Sequence, residues 1–288
     1  MKLATFREGH GDAELGIVSA DRIICLSRIA PHLPRDMLLL IAGWNDLQAE
    51  VREIEAAAAK TLSLAEVQLM APVQRPGKIM AIGLNYADHI AETGNETPEF
   101  QVWFTKAVTA VNGPHDPIQI PSVSQFVDYE AEMVAVIGSG GRHIGKDQAP
   151  AAVFGYCVGN DVTERAWQIR TPQWSLGKSF DTHAPFGPWI TTADEVGDPH
   201  RFGIRALVNG EERQNSNTAN LVFNVWDQVA ELSQAMTLEP GDLIFTGTPS
   251  GVGGAMRPMK FLHAGDTVEI AIDTLGSIFN VCAAEIVS

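Results

Sequence analysis

The stretch Asp128-Tyr129-Glu130-Ala131-Glu132-Met133-Val134-Ala135-Val136-Ile137, closed by Gly138-Ser139-Gly140-Gly141, reads as a β-strand: short, rich in strand formers and ended by glycines. Side chains two apart on a strand share a face, so Glu130 and Glu132 point the same way. Two bare carboxylates at that spacing repel each other, and a positive charge is expected between them. A third carboxylate follows in Gly159-Asn160-Asp161-Val162-Thr163, where the apolar run Val153 to Val158 ends and a strand would hand over to a helix. All-oxygen, histidine-free ligation suits Mg²⁺, Mn²⁺ or Ca²⁺ rather than zinc or copper. By spacing alone, the same residues also suit two solvated glutamates on an edge strand and a helix-capping aspartate.

Outward from this strand, short apolar runs recur between Gly, Pro, Asn and Asp: Lys78 to Gly83, Ile118 to Ile120, Trp189 to Thr191, Ile204 to Val208, Asp242 to Thr246, Thr267 to Ile272 and Ile278 to Ile286. Helical patterns are few, at Tyr86 to Thr93, Val162 to Arg170 and Val225 to Met236. Many strands with few helices predict an α+β, mostly-β roll or barrel with peripheral helices. Before it, strands over Leu3 to Arg7 and Leu15 to Leu26 and helices over Pro34 to Ile41 and Asn45 to Lys60, with Asn45 as N-cap, form a small α/β unit. The proline-punctuated connection Met70 to Gly77 sets the expected boundary: an N-terminal domain over 1–72 and a catalytic domain over 73–288.

A length of 288 residues, 45% of them hydrophobic, is ample for a buried core. A formal charge of −15 with no basic cluster argues against a nucleic-acid partner. Cys25, Cys157 and Cys282 lie far apart, with no metal spacing, and an odd count argues against a disulfide framework. The amino-terminal stretch lacks the apolar core of a signal peptide, and the longest apolar stretch, Met37 to Gly43, is too short to cross a bilayer; a cytoplasmic protein without a membrane partner is expected.

Four further constellations carry chemistry. In Gly83-Leu84-Asn85-Tyr86-Ala87-Asp88-His89-Ile90-Ala91-Glu92, a strand ends at Gly83, Asn85 can cap, and His89 and Glu92 become neighbours on one helix face. A carboxylate beside an imidazole fixes its tautomer and raises its basicity, which suits activation of water; an ordinary surface pair has the same spacing. On a helix after Asp161, Arg165 and Gln168 fall on roughly one side, where they could grip an anionic substrate or, in the case of Arg165, simply pair with Glu164 or a ligand carboxylate. Lys178, after Gly177, could neutralise substrate charge near the metal or be a plain surface lysine. The loop Phe245-Thr246-Gly247-Thr248-Pro249-Ser250-Gly251-Val252-Gly253-Gly254 offers backbone N–H groups and the Thr248 hydroxyl to an oxyanion, or is a tight turn. Gly140-Gly141-Arg142-His143-Ile144-Gly145-Lys146-Asp147 nearly fits a P-loop, but Asp147 stands where a hydroxyl should meet Mg²⁺, so nucleotide binding is not expected.

Together, and in this order, Gly83-Leu84-Asn85-Tyr86 with His89 and Glu92, Asp128 to Glu132, Asn160 to Thr163, Gly177 to Asp181 and Thr246 to Gly253 resemble the fumarylacetoacetate hydrolase family over residues 75 to 288. The resemblance implies a mixed β-roll catalytic domain, a homodimer, and Mg²⁺ or Mn²⁺ on Glu130, Glu132 and Asp161. It further implies that His89 and Glu92 activate water and that Arg165, Gln168, Lys178, Gly247 and Thr248 surround a small 2-oxo acid. The expected reaction is metal-dependent hydrolysis of an acylpyruvate, maleylpyruvate or fumarylpyruvate by preference, to pyruvate and a carboxylic acid in aromatic-compound catabolism. Arg142 or Arg170 could meet a distal carboxylate. The alternatives are oxaloacetate decarboxylation, hydration or isomerisation of a related 2-oxo acid, and hydrolysis of a sugar-derived 2,4-diketo acid.

Overall fold

The computed structural model describes residues 1–57 and 61–286. Its main sheet contains β1 (Lys2–Arg7), β2 (Glu14–Ser19), β3 (Arg22–Cys25), β4 (Ile79–Gly83), β5 (Val102–Lys106), β6 (Ala131–Ile137), β7 (Val153–Asn160), β8 (Ala184–Thr192) and β9 (Leu243–Phe245). Their order across the sheet is β3-β2-β1-β8-β7-β6-β9-β4-β5, antiparallel throughout except for the parallel pair β9 and β4. A second sheet runs Glu211–Asn217, Gly203–Val208, Thr267–Ile272, Gly276–Ala284 and Ile118–Ile120. This is the mixed, strand-dominated α+β roll that the rhythm of short apolar runs predicts.

Every residue of β6 is buried, which explains a continuous apolar run where a half-exposed strand would alternate. Met133, Ala135 and Ile137 join a core with Ile204, Ala206, Val268 and Ile270 of the second sheet. Val134 and Val136 face the other way, into a core with Phe104, Phe245 and the N-terminal residues Leu3, Ile17, Leu40 and Val51. The N-terminal strands continue the same sheet, because β1 pairs with β8 through Lys2↔Thr191 and Leu3↔Ile190. The Met70 to Gly77 connection therefore marks a change in sequence pattern while one core runs across it.

Several local expectations are corrected. The second N-terminal helix spans Trp44–Ala57, so Asn45 lies in its first turn and is not its N-cap; residues 58–60 of the expected helix lie outside the described residues. The helix expected over Val162 to Arg170 is a two-residue strand, Thr163–Glu164, paired with Val127–Asp128, followed by a single turn, Arg165–Gln168. Pairing with a neighbouring strand outweighs the weak helix preference of Val162 and Thr163. Asn85 does not cap the helix Ala87–Thr93: Tyr86 holds that position in an extended conformation. The Asn85 amide instead donates to the carbonyls of Phe223 (3.0 Å) and Thr246 (2.8 Å), tying the turn after β4 to the loop after β9.

Candidate functional site

The register between β6 and β7 builds the carboxylate cluster. Ala131 pairs with Asn160 and Glu132 with Gly159, so Asp161 falls opposite Glu130. The Asp161 N–H donates to the Glu130 carbonyl at 2.9 Å, and the Asn160 side chain accepts from the Glu130 N–H at 2.9 Å. Glu130, Glu132 and Asp161 are all buried, and each offers an oxygen within 4.8 Å of the others. Burial without compensation is costly for a charge. Three cations supply part of it. Lys178 Nζ lies 2.7 Å from Glu130 Oε2 and 2.6 Å from Asp161 Oδ2. Arg165 reaches Glu130 Oε1 at 2.7 Å and Asp128 Oδ2 at 2.7 Å. Lys106 Nζ, fully buried, lies 2.6 Å from Asp161 Oδ1 and also donates to the carbonyls of Val162 and Lys178.

Glu132 is treated differently. No cation pairs with it among the described residues; the Gly247 N–H donates to Oε2 at 2.8 Å. Burial and the charges of Asp161 and Glu130 push its pKa well above the carboxylate range. Burial also works to raise Glu130, but Lys178 and Arg165 hold it at about 2. Counted as ionised, Asp128 and the three carboxylates against Lys106, Arg165 and Lys178 leave one negative charge, at Glu132, where the raised pKa means a bound cation would displace a proton. An all-oxygen, buried donor set with one uncompensated carboxylate fits a hard divalent cation, with Glu130, Glu132 and Asp161 to hold it. Adding such an ion would turn the net charge from −1 to +1, suited to an anionic ligand.

Facing the cluster is a cavity of about 290 Å³, at the small end of ligand sites. It is lined by His89, Glu130, Glu132, Arg165, Gln168, Lys178 and Thr248, so the structure brings these expected site residues together. His89 Nδ1 lies 3.2 Å from Glu92 Oε2, and Glu92 Oε1 accepts the Gly251 N–H at 2.9 Å. The Gln168 amide oxygen accepts from Arg165 at 3.0 Å, which fixes the guanidinium against both Asp128 and Glu130. The glycine-rich loop departs from expectation in one respect. Its amides are spent on protein carboxylates: Gly247 on Glu132, Gly251 on Glu92, and Gly253 and Gly254 on Asp128 at 2.8 and 2.9 Å. Gly247 sits at φ +102°, and a Cβ there would come within 2.8 Å of the Asn85 Cβ, so the loop follows a path closed to side chains. Arg142 and Arg170 line no part of the cavity. Arg142 donates to the carbonyls of Ser233 and Gln234, and Arg170 stacks 4.1 Å over the Trp167 ring.

Residues 78–282 match the family described as fumarylacetoacetate (FAA) hydrolase C-terminal. The chain belongs to the fumarylacetoacetate hydrolase family. It is 40% identical over 286 residues to a mitochondrial oxaloacetate tautomerase of Rattus norvegicus, covering 97% of this chain and 91% of that one. Among solved structures it is similar to the fumarylacetoacetate hydrolase of Exiguobacterium antarcticum (TM-score 0.86, 36% identity, 99% and 100% of the two chains). It is also similar to a Sphingobium maleylpyruvate hydrolase in complex with manganese(II) and pyruvate (TM-score 0.83, 32% identity, 99% and 100%). No helix among the described residues is long and apolar enough to cross a membrane.

In this member of the family, sequence reasoning missed three site residues. Lys106 closes β5, two residues after Phe104 and on the same face, and a lysine ending an apolar strand on its buried side was the available signal. Gln214 comes from the second sheet: its amide donates to Thr248 Oγ1 and the Pro249 carbonyl, each at 2.8 Å, and accepts the Ala131 N–H at 2.8 Å. Trp174 lines the cavity from the segment preceding the turn Ser175–Lys178. Neither Gln214 nor Trp174 carries a local motif.

Proposed function

We propose that this protein is a metal-dependent enzyme that enolises a small 2-oxo acid, with oxaloacetate as the substrate that fits best. The observation that carries this reading is the His89–Glu92 pair, which faces the buried Glu130, Glu132 and Asp161 across a cavity of only about 290 Å³. When bound, a divalent cation supplies the Lewis acidity that lowers the cost of an enolate at the 2-oxo oxygen. The protein's own groups do the rest. With Nδ1 turned toward Glu92, the Nε2 of His89 is left to take a proton from C3 and return it to the enol oxygen. Glu92, held by Gly251, keeps the imidazole in that tautomer and orientation. Lys178 and Arg165 keep positive charge beside Glu130, and the Thr248 hydroxyl, accepting from Gln214, has its hydrogen free for a substrate oxygen. The relative named as an oxaloacetate tautomerase, similar along 97% of this chain, supports the same substrate.

A second reading rests on the same dyad: His89 would instead take a proton from water attacking C4 of an acylpyruvate, and the likeness to a maleylpyruvate hydrolase supports it. One experiment separates the two. Oxaloacetate, maleylpyruvate and fumarylpyruvate are each followed by enol absorbance and by pyruvate release, with Mn²⁺ and with EDTA. Faster metal-dependent keto–enol exchange of oxaloacetate without pyruvate supports the tautomerase. Pyruvate plus a dicarboxylic acid from an acylpyruvate moves the assignment to hydrolase, and pyruvate from oxaloacetate moves it to decarboxylase.

A further inference from the structure

We infer that Trp174 is the length stop of the substrate cavity, restricting the enzyme to 2-oxo acids of about four carbons. The cations of the cavity, Arg165 and Lys178, are committed to Asp128, Glu130 and Asp161. Its apolar lining is Ile82, Leu84, Phe104, Ile169 and Trp174, beside the polar Thr93, Asn95, Gln168 and Thr248. The Trp174 ring lies directly on Gly83. A Cβ at Gly83 would come within 2.3 Å of Cζ3 and 2.9 Å of Cη2, so the ring enters space that any other residue at 83 would fill. It packs against Phe104 with ring centroids 5.6 Å apart. The Trp174 backbone is anchored as well. The Trp174 carbonyl accepts the Lys178 N–H at 3.2 Å, starting the turn that carries Lys178. That turn presses on Gln168: a Cβ at Gly177 would come within 2.3 Å of the Gln168 backbone nitrogen. An aromatic ring lying on Gly83 and packed on Phe104 leaves little room for a longer chain.

This inference rests on the 2-oxo acid reading, and its test separates the two. Isothermal titration with Mn²⁺ present measures Kd for oxaloacetate, 2-oxoglutarate, 2-oxoadipate and 2-oxohexanoate with the wild type, Trp174→Ala and Trp174→Leu. Thermal melts check that each variant folds. The wild type should bind oxaloacetate at least about 10-fold more tightly than either six-carbon acid, the scale on which a pocket rejects extra methylenes. That ratio should fall about 10-fold or more in Trp174→Ala and by less in Trp174→Leu. A wild type that binds the whole series equally, or a ratio unchanged in both variants, overturns the length stop. Wild-type binding of 2-oxohexanoate as tight as that of oxaloacetate, with 2-oxoadipate rejected, also overturns it, because the wall would then select against charge and not length. A wild type that binds none of these acids sinks the 2-oxo acid reading itself and the length stop with it.

Discussion

Lys106→Met tests whether the buried lysine behind the cluster is the counter-ion of Asp161. Methionine keeps most of the side-chain volume and removes the ammonium. Asp161 Oδ1 loses its partner at 2.6 Å, and the Val162 and Lys178 carbonyls lose the same donor. Both Lys106 and Asp161 are fully buried, so water cannot replace the lost contacts. Burial pulls the Lys106 pKa below its ordinary value, against the pull of Asp161. Removing one partner of a buried ion pair costs about 3–5 kcal/mol. For a chain of this size that corresponds to a fall in melting temperature on the order of 10 °C. Thermal and urea denaturation of wild type and variant, with EDTA and with Mn²⁺, gives the number. Mn²⁺ should recover part of the loss, since it restores positive charge beside Asp161. A loss below about 1 kcal/mol, the worth of an exposed pair, would refute the argument.

Three other predictions follow from the same geometry. His89→Ala should lower turnover by about 10²–10⁴ while Mn²⁺ affinity, read by titration calorimetry, stays near wild type; full activity would remove His89 as the base. Glu132→Gln should abolish Mn²⁺ binding yet raise the melting temperature in EDTA, because it removes the one carboxylate of the cluster that no cation meets. Retained metal binding would disprove the ligand assignment. Burial lowers the His183 pKa from 6.5 to about 4. Between those values the unfolded chain carries the extra proton, so stability present above pH 6.5 is lost as pH falls, by roughly 3 kcal/mol at most. His183→Gln should flatten that part of the stability profile, and an unchanged slope would assign the acid sensitivity elsewhere.

The strand rhythm after residue 75 and the three carboxylates were legible in the sequence because both are local properties. The run Asp128 to Ile137 does not form one strand, since Val127–Asp128 and Ala131–Ile137 are separate and Glu130 lies between them, but Glu130 still turns with Glu132 toward the cluster. The His89–Glu92 pair was legible for the same reason, as a three-residue step on one helix turn. What the sequence could not fix were the partners. Val162 to Gln168 reads as a helix, and only pairing with Val127–Asp128 makes its first part a strand and turns Arg165 back onto Asp128 and Glu130. The glycine loop looks ready for a substrate oxyanion until the fold brings Asp128, Glu132 and Glu92 to its amides. Lys106 and Gln214 reach the site from strands 55 and 53 residues away from Asp161, and Trp174 reaches it by lying on Gly83. Local spacing thus determined which chemistry is present. The tertiary structure alone decided which charges are neutralised and how much room is left, because contacts between distant segments depend on strand register and packing, which no short stretch of chain encodes.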